Sequence, residues 1–165
     1  MNTSQRARRL VRGFTLIELM IVITIMGALL AITTPAVTRF LGDWRLNGAA
    51  AQMATAMRAA RSSAVDKDIN VVFVFDKDQG QYFFIEDTNG NGDADAGELQ
   101  TSARVLPKGV SIDDFTVPQE SVTFSPRGST SDGGTIVMKG RGDREIQIRV
   151  YSGTGNVAVE PKPEA

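Results

Sequence analysis

Between Leu19 and Thr38 the chain carries no charged side chain, an apolar run of 20 residues. Coiled into a helix at about 1.5 Å per residue, such a run covers roughly 30 Å, the thickness of a bilayer core. The helical pattern does not stop there. Leu46, Ala50, Met53, Met57, Ala60 and Ala64 recur at steps of three and four, which draws one apolar stripe down a helix. Asp43, Arg45, Gln52, Arg58 and Arg61 fall mostly on the other side, and the stripe ends near Val65-Asp66. Pro35, Gly42 and the Asn47-Gly48 pair are predicted as bends or local melting points in this helix. Trp44 reads as an interfacial or packed aromatic, not as a platform for a cofactor.

From Ile69 the period changes to two. The spacing predicts strands over Asn70–Phe75 and Gln81–Ile85, joined by the turn-rich Asp76–Gly80. Further strands are expected at 102–106, 110–117, 121–124, 135–139, 145–151 and 156–159. Clusters of Gly and Pro at 107–109, 126–128 and 132–134 separate them. Residues from Glu160 on are polar and carry proline, so fraying is expected there. A long helix followed by antiparallel strands defines an α+β fold. The expected divisions are 1–13, a basic leader; 14–38, a membrane-length segment; 39–66, the amphipathic half of the helix; 67–160, a β-rich domain; and 161–165, a disordered tail.

Composition narrows the chemistry. With no histidine and no cysteine, Ser-His-Asp and Cys-His nucleophiles, ordinary zinc hydrolase sites and disulfides are all excluded. Nor is there a Lys, Tyr or carboxylate cluster that reads as a catalytic centre, so the chain is not expected to be an enzyme. The formal charge of −1 is unevenly spread, because Arg6, Arg8, Arg9 and Arg12 stand in residues 1–13 without an acid. The rest is net acidic and has no overall attraction to nucleic acid. By the positive-inside rule the basic flank stays cytoplasmic.

Glu18 is the residue out of place. It stands at the mouth of the apolar run, where a carboxylate is costly without a partner. A secretory signal does not fit, because the run is too long and Ile32–Ala36 is a poor cleavage site. A plain signal anchor fits the length but leaves Glu18 unexplained. The stretch Gly13-Phe14-Thr15-Leu16-Ile17-Glu18 closely resembles the class III signal peptide of type IV pilins and type II secretion pseudopilins. That resemblance implies cleavage after Gly13 by a prepilin peptidase, N-methylation of Phe14, and Glu18 as the fifth residue of the mature chain. In a filament Glu18 would then meet the Phe14 ammonium of its own or a neighbouring subunit.

Phe124-Ser125-Pro126-Arg127-Gly128 and the later Ile148–Val157 resemble the strand-and-turn pattern of H-type pseudopilins and of FimT/FimU minor pilins. The implied fold is a long helix on a small antiparallel two-sheet domain. The implied role is a minor subunit that initiates or caps a type IV pilus or a type II secretion pseudopilus. Its implied partners are other pilins or pseudopilins, prepilin peptidase and the inner-membrane assembly platform. The implied location is the bacterial inner membrane, single-pass, with the domain periplasmic or extracellular.

Two local motifs invite ligands. Asp87, Asn89, Asn91, Asp93, Asp95 and Glu98, with Gly92 between them, satisfy the spacing of a calcium loop. A strand precedes this loop, however, and the same residues favour a solvated Asx- and Gly-rich turn. No cofactor is therefore required, and calcium is the one ion the pattern admits. Arg141, Arg144 and Arg149 loosely echo the arginines with which some FimT-type pilins bind DNA. Asp143 and Glu145 beside them weaken that footprint, and a DNA-binding minor pilin stands as the alternative reading.

Overall fold

The computed structural model describes residues 14–91, 95, 97–141 and 144–162. One helix, α1 (Leu16–Lys67), is followed by β1 (Asn70–Asp76), β2 (Gln81–Asp87), β3 (Leu99–Gln100), β4 (Arg104–Val105) and β5 (Ser111–Phe115). A single 3-10 turn (Pro118–Glu120) leads into β6 (Ser121–Phe124), β7 (Gly134–Lys139), β8 (Glu145–Tyr151) and β9 (Asn156–Pro161). The chain divides into two compact units, residues 1–38 and 39–165.

In the first unit every described side chain lies exposed, from Phe14 through Thr38. The helix is long and apolar enough to cross a membrane. Its hydroxyls are satisfied internally: Thr24 donates to the Met20 carbonyl (2.7 Å), Thr33 to Leu29 (2.8 Å) and Thr34 to Leu30 (2.7 Å). Such back-bonding to the preceding turn is what polar side chains need where no water can reach them.

In the second unit, residues 39–67 of α1 lie against two antiparallel sheets. One has the order β3-β2-β1-β6, with β4 also on β2, and the other has the order β5-β7-β8-β9. Leu46, Ala50, Met53, Met57, Ala60 and Ala64, the predicted stripe, are all completely buried. They share one core with Val71, Phe73 and Phe75 of β1, Val122 and Phe124 of β6, Ile136 and Met138 of β7, and Ile146, Ile148 and Val150 of β8. Alanines on the helix let both sheets approach it closely, and the phenylalanines fill the space between. This is the expected α+β architecture.

Four details differ from the pattern read in the sequence. The helix runs unbroken through Pro35, Gly42 and Asn47-Gly48. Asn47 donates its amide to the Asp43 carbonyl (2.7 Å), and the missing Cβ of Gly42 lets Arg141 approach, so both are built into the helix. The strand expected at 102–106 is only β4 (Arg104–Val105), and a short strand not expected there, β3 (Leu99–Gln100), pairs with β2 ahead of it, with Thr101 bonded to Phe84 between them. The Thr101 hydroxyl accepts from the Phe84 amide (3.0 Å) and donates to the Phe84 carbonyl (3.1 Å). Glu160 and Pro161 do not fray; they pair with Gln147 and Ile146 as the end of β9. Finally, α1 ends one turn-residue later than read, at Lys67. Asp68 adopts a left-handed φ of 56°, and the Ile69 amide closes onto the Ala64 carbonyl (3.3 Å), a Schellman-type stop.

Candidate functional site

The N-terminal site is the start of α1. Thr15 is its cap: the Thr15 hydroxyl accepts from the Glu18 amide (3.2 Å) and the Thr15 carbonyl from the Leu19 amide (3.2 Å). Thr15-Leu16-Ile17-Glu18 thus has the Thr-x-x-Glu spacing of a capping box, a signal readable in the sequence that the charge argument about Glu18 passed over. Glu18 stands in the first helical turn, where the helix dipole favours an acid. Among the described residues it makes no ion pair, and its neighbours Phe14, Leu16 and Ile17 are 80%, 77% and 68% exposed. Gly13 and the basic leader lie outside the described residues. This stretch is therefore an apolar surface with one carboxylate, and burying it requires a bilayer or other chains.

The candidate calcium loop follows β2. Asp87 is buried, and its carboxylate accepts from the Gly90 amide (2.7 Å). Asn89 and Asn91 each donate a side-chain amide to Asp95 (2.8 and 2.6 Å). Those two hydrogen bonds, Asn89 first, hold the Asp95 carboxyl below the usual carboxylate range. Glu98 accepts from the backbone amides of Thr88 (2.9 Å) and Asp95 (3.1 Å). Asp93 lies outside the described residues. The structure thus brings Asp87, Asn89, Asn91, Asp95 and Glu98 into one loop. Among the described residues their contacts include hydrogen bonds to each other and to the backbone, and no cluster of three acids is assembled there.

The fold separates Arg149 from the other two arginines considered for DNA. Arg144 pairs with Asp43 of α1 (3.0 Å), and Arg141 lies beside Gly42. Arg149, on β8, pairs instead with Glu160 of β9 (3.2 Å). Glu160 also accepts from Gln147 (3.2 Å) and from the Tyr151 hydroxyl (3.1 Å), and that last bond raises the Tyr151 pKa.

Two further arginines, read as surface residues, reach from α1 to backbone carbonyls in the C-terminal part of the chain. Arg58 donates to the Val157 carbonyl (2.8 Å) and Arg61 to the Gly128 carbonyl (2.7 Å). Gly128 (φ 73°) and Gly155 (φ 63°) meet at this point, and a Cβ on Gly155 would fall on the Gly128 carbonyl oxygen. The glycines of the two C-terminal turn motifs are therefore the place where helix and both turns touch. Periodicity gave no hint of it, because the partner of Arg61 lies 67 residues away.

Comparison with known proteins agrees with this architecture. The structure resembles that of the minor pseudopilin EpsH from the type 2 secretion system of Vibrio cholerae, with a TM-score of 0.57 at 15% identity over 73% of this chain and 99% of that one. It also resembles the type IV minor pilin FimU of Pseudomonas aeruginosa, with a TM-score of 0.56 at 18% identity over 74% of this chain and 92% of that one. Among curated protein sequences nothing matches. The fold is thus pilin-like, with an exposed N-terminal helix long and apolar enough to cross a membrane. A profile of the prokaryotic N-terminal methylation motif matches residues 8–34. The profile of type II transport protein GspH matches residues 49–154, more than half of the chain, and the protein belongs to that family of minor pseudopilins.

Proposed function

We propose that this minor subunit helps start or cap a type II secretion pseudopilus, assembling with other pseudopilins after a prepilin peptidase has cut behind Gly13 and methylated Phe14. The observation that carries the reading is the joint match of the methylation motif at 8–34 and the GspH profile at 49–154 on one chain. Before assembly the helix waits in the inner membrane, with the leader cytoplasmic and the domain periplasmic, held for the assembly platform. During assembly, bundling with neighbouring helices buries the apolar surface from Phe14 to Leu41. Glu18 then pairs with the Phe14 ammonium, because a buried carboxylate without a cation would cost several kcal/mol.

The test is Glu18→Ala expressed in a host that lacks the native subunit. Processing to the mature length is expected to persist, while cross-linking into the filament and secretion fall away. Normal incorporation and secretion would overturn the pairing, and lost pili with intact secretion would move the subunit to a type IV pilus.

A further inference from the structure

Strands β3 and β4 pair with the two ends of β2, and the chain gains a residue between them. Gln100 stands opposite Ile85 and Arg104 opposite Tyr82, so this segment advances four residues while β2 advances three. The extra residue bows the segment outward, as a bulge does. Thr101 still holds Phe84 by its hydroxyl and by its amide (3.0 Å to the Phe84 carbonyl), so the bow falls at Ser102 and Ala103.

The helix does not fill the space left behind, because at this level it presents only Ala56 and Ala59. A cavity of about 350 Å³ remains between α1, β2 and residues 101–104, near the lower end of the range for ligand sites. Tyr82 and Phe84, opposite Phe75 and Phe73 on the helix-facing side of the sheet, give it an aromatic wall. Burial raises the Tyr82 pKa, and Arg104 beside the phenol lowers it in part. Arg104 is the one charged side chain that lines the cavity, and among the described residues it makes no ion pair.

The sheet edge beyond the cavity is uncovered. Among the described residues no strand but β2 pairs with β3 or β4. Leu99, opposite Glu86, lies on the side where Glu86 meets Lys67 of α1, and Val105, opposite Gln81, lies on the other. They are 61% and 73% exposed. A free edge is ordinarily guarded by charge or proline, and apolar side chains on it mark a surface that a partner covers.

We propose that residues 99–105 receive an extended segment of a partner subunit, which pairs along this edge, places one apolar side chain in the cavity and sets a neighbouring carboxylate on Arg104. The inference rests on the assembly reading given above and names the surface and the chemistry by which this subunit meets a neighbour. In strand addition the main chain supplies affinity and the side-chain pocket supplies selectivity. The aromatic and methyl wall selects an apolar group. Arg104 selects an acid, because no acid lines the cavity to neutralise it and a guanidinium takes a carboxylate through two parallel hydrogen bonds.

The first test uses full-length protein in detergent micelles with its alanine methyl groups labelled for NMR. The probe is N-acetyl-phenylalanine, a ring with one carboxylate, and its amide is the control. The Ala56, Ala59 and Ala103 methyl resonances are expected to shift with the probe. Binding is expected to weaken about tenfold for the amide and for Arg104→Gln, the effect of losing one charged hydrogen bond. Ala59→Phe, which fills the cavity from its exposed rim, is expected to abolish the shifts at Ala56 and Ala103. The second test expresses both variants in a host that lacks the native subunit. Processing is expected to persist while entry into the filament falls about tenfold, and in wild-type filaments hydrogen exchange across 102–105 is expected to slow.

No shift from either compound would overturn the cavity as a site, and equal shifts from both would overturn the carboxylate. Variants that lose the probe yet enter the filament as wild type does would overturn the partner, and unchanged exchange at 102–105 would overturn the strand pairing. Methyl shifts that grow with protein concentration alone would assign the edge to a second copy of the chain and overturn the proposal. A wild-type chain that binds the probe but enters no filament would overturn the assembly reading, and the partner with it, while the acid-binding cavity stands.

Discussion

Gly155 shows how much one residue can carry. Its φ of 63° is a left-handed conformation, and a Cβ there meets the carbonyl that Arg61 needs. Gly155→Ala is expected to lower the unfolding free energy by about 1–3 kcal/mol, through strain and the displaced turn. Arg61→Ala leaves the Gly128 carbonyl without its charged donor, and a loss of about 1.5–3 kcal/mol is expected. Urea unfolding of each variant and of the double checks both values, and the double should be less than additive because the residues share one contact. Glu145 gives a pH effect of known sign. Lys162 at 2.5 Å, with Lys139 at 3.8 Å, holds its carboxyl below the usual carboxylate range. A depressed folded-state pKa contributes stability that is present at neutral pH and is lost as pH falls through the carboxylate range, below about pH 4. Glu145→Gln is expected to flatten that acid limb in thermal melts recorded from pH 7 to pH 3, and an unchanged limb would contradict the pairing.

At the scale of elements, the loop between β2 and β3 divides two chemistries that share a sequence pattern. The spacing of Asp87, Asn89, Asn91, Asp95 and Glu98 suits calcium, yet Asn89 and Asn91 present amide hydrogens, not oxygens, to Asp95. To hold an ion both amides would have to turn over and break those bonds, since calcium takes oxygen ligands. With those bonds in place, the thermal midpoint is expected to be the same in chelator and in millimolar calcium. A rise with calcium would show that the amides do turn and that the ion belongs there. The helix is a second case. Its buried stripe from Leu46 to Ala64 was legible because a period of 3.6 is written locally. The unbroken passage through Gly42 was not, because it depends on Arg141 packing there from far along the chain.

For the whole molecule, the division at residue 38 predicts how the chain can be cut. The core cluster begins at Leu46 and draws on nothing earlier. A chain starting at residue 39 is expected to unfold in one cooperative transition without detergent, measured by circular dichroism against temperature. A broad, non-cooperative melt would mean that residues 14–38 contribute to the core. The full chain, with its apolar helix uncovered from Leu16 to Leu41, is expected to require detergent or lipid.

The apolar run, the stranded carboxylate of Glu18, the helical stripe and most of the strands were determined by sequence alone. Each is a pattern of near neighbours, and hydrophobic burial enforces such a pattern whatever the distant chain does. Closure of the chain decided the rest. It set which side of the helix receives Gly128 and Gly155, and where the short β3 pairs with β2. It sent Arg144 to Asp43 and Arg149 to Glu160. Those choices join residues up to 101 positions apart, where composition is silent and only the packed shape selects a partner.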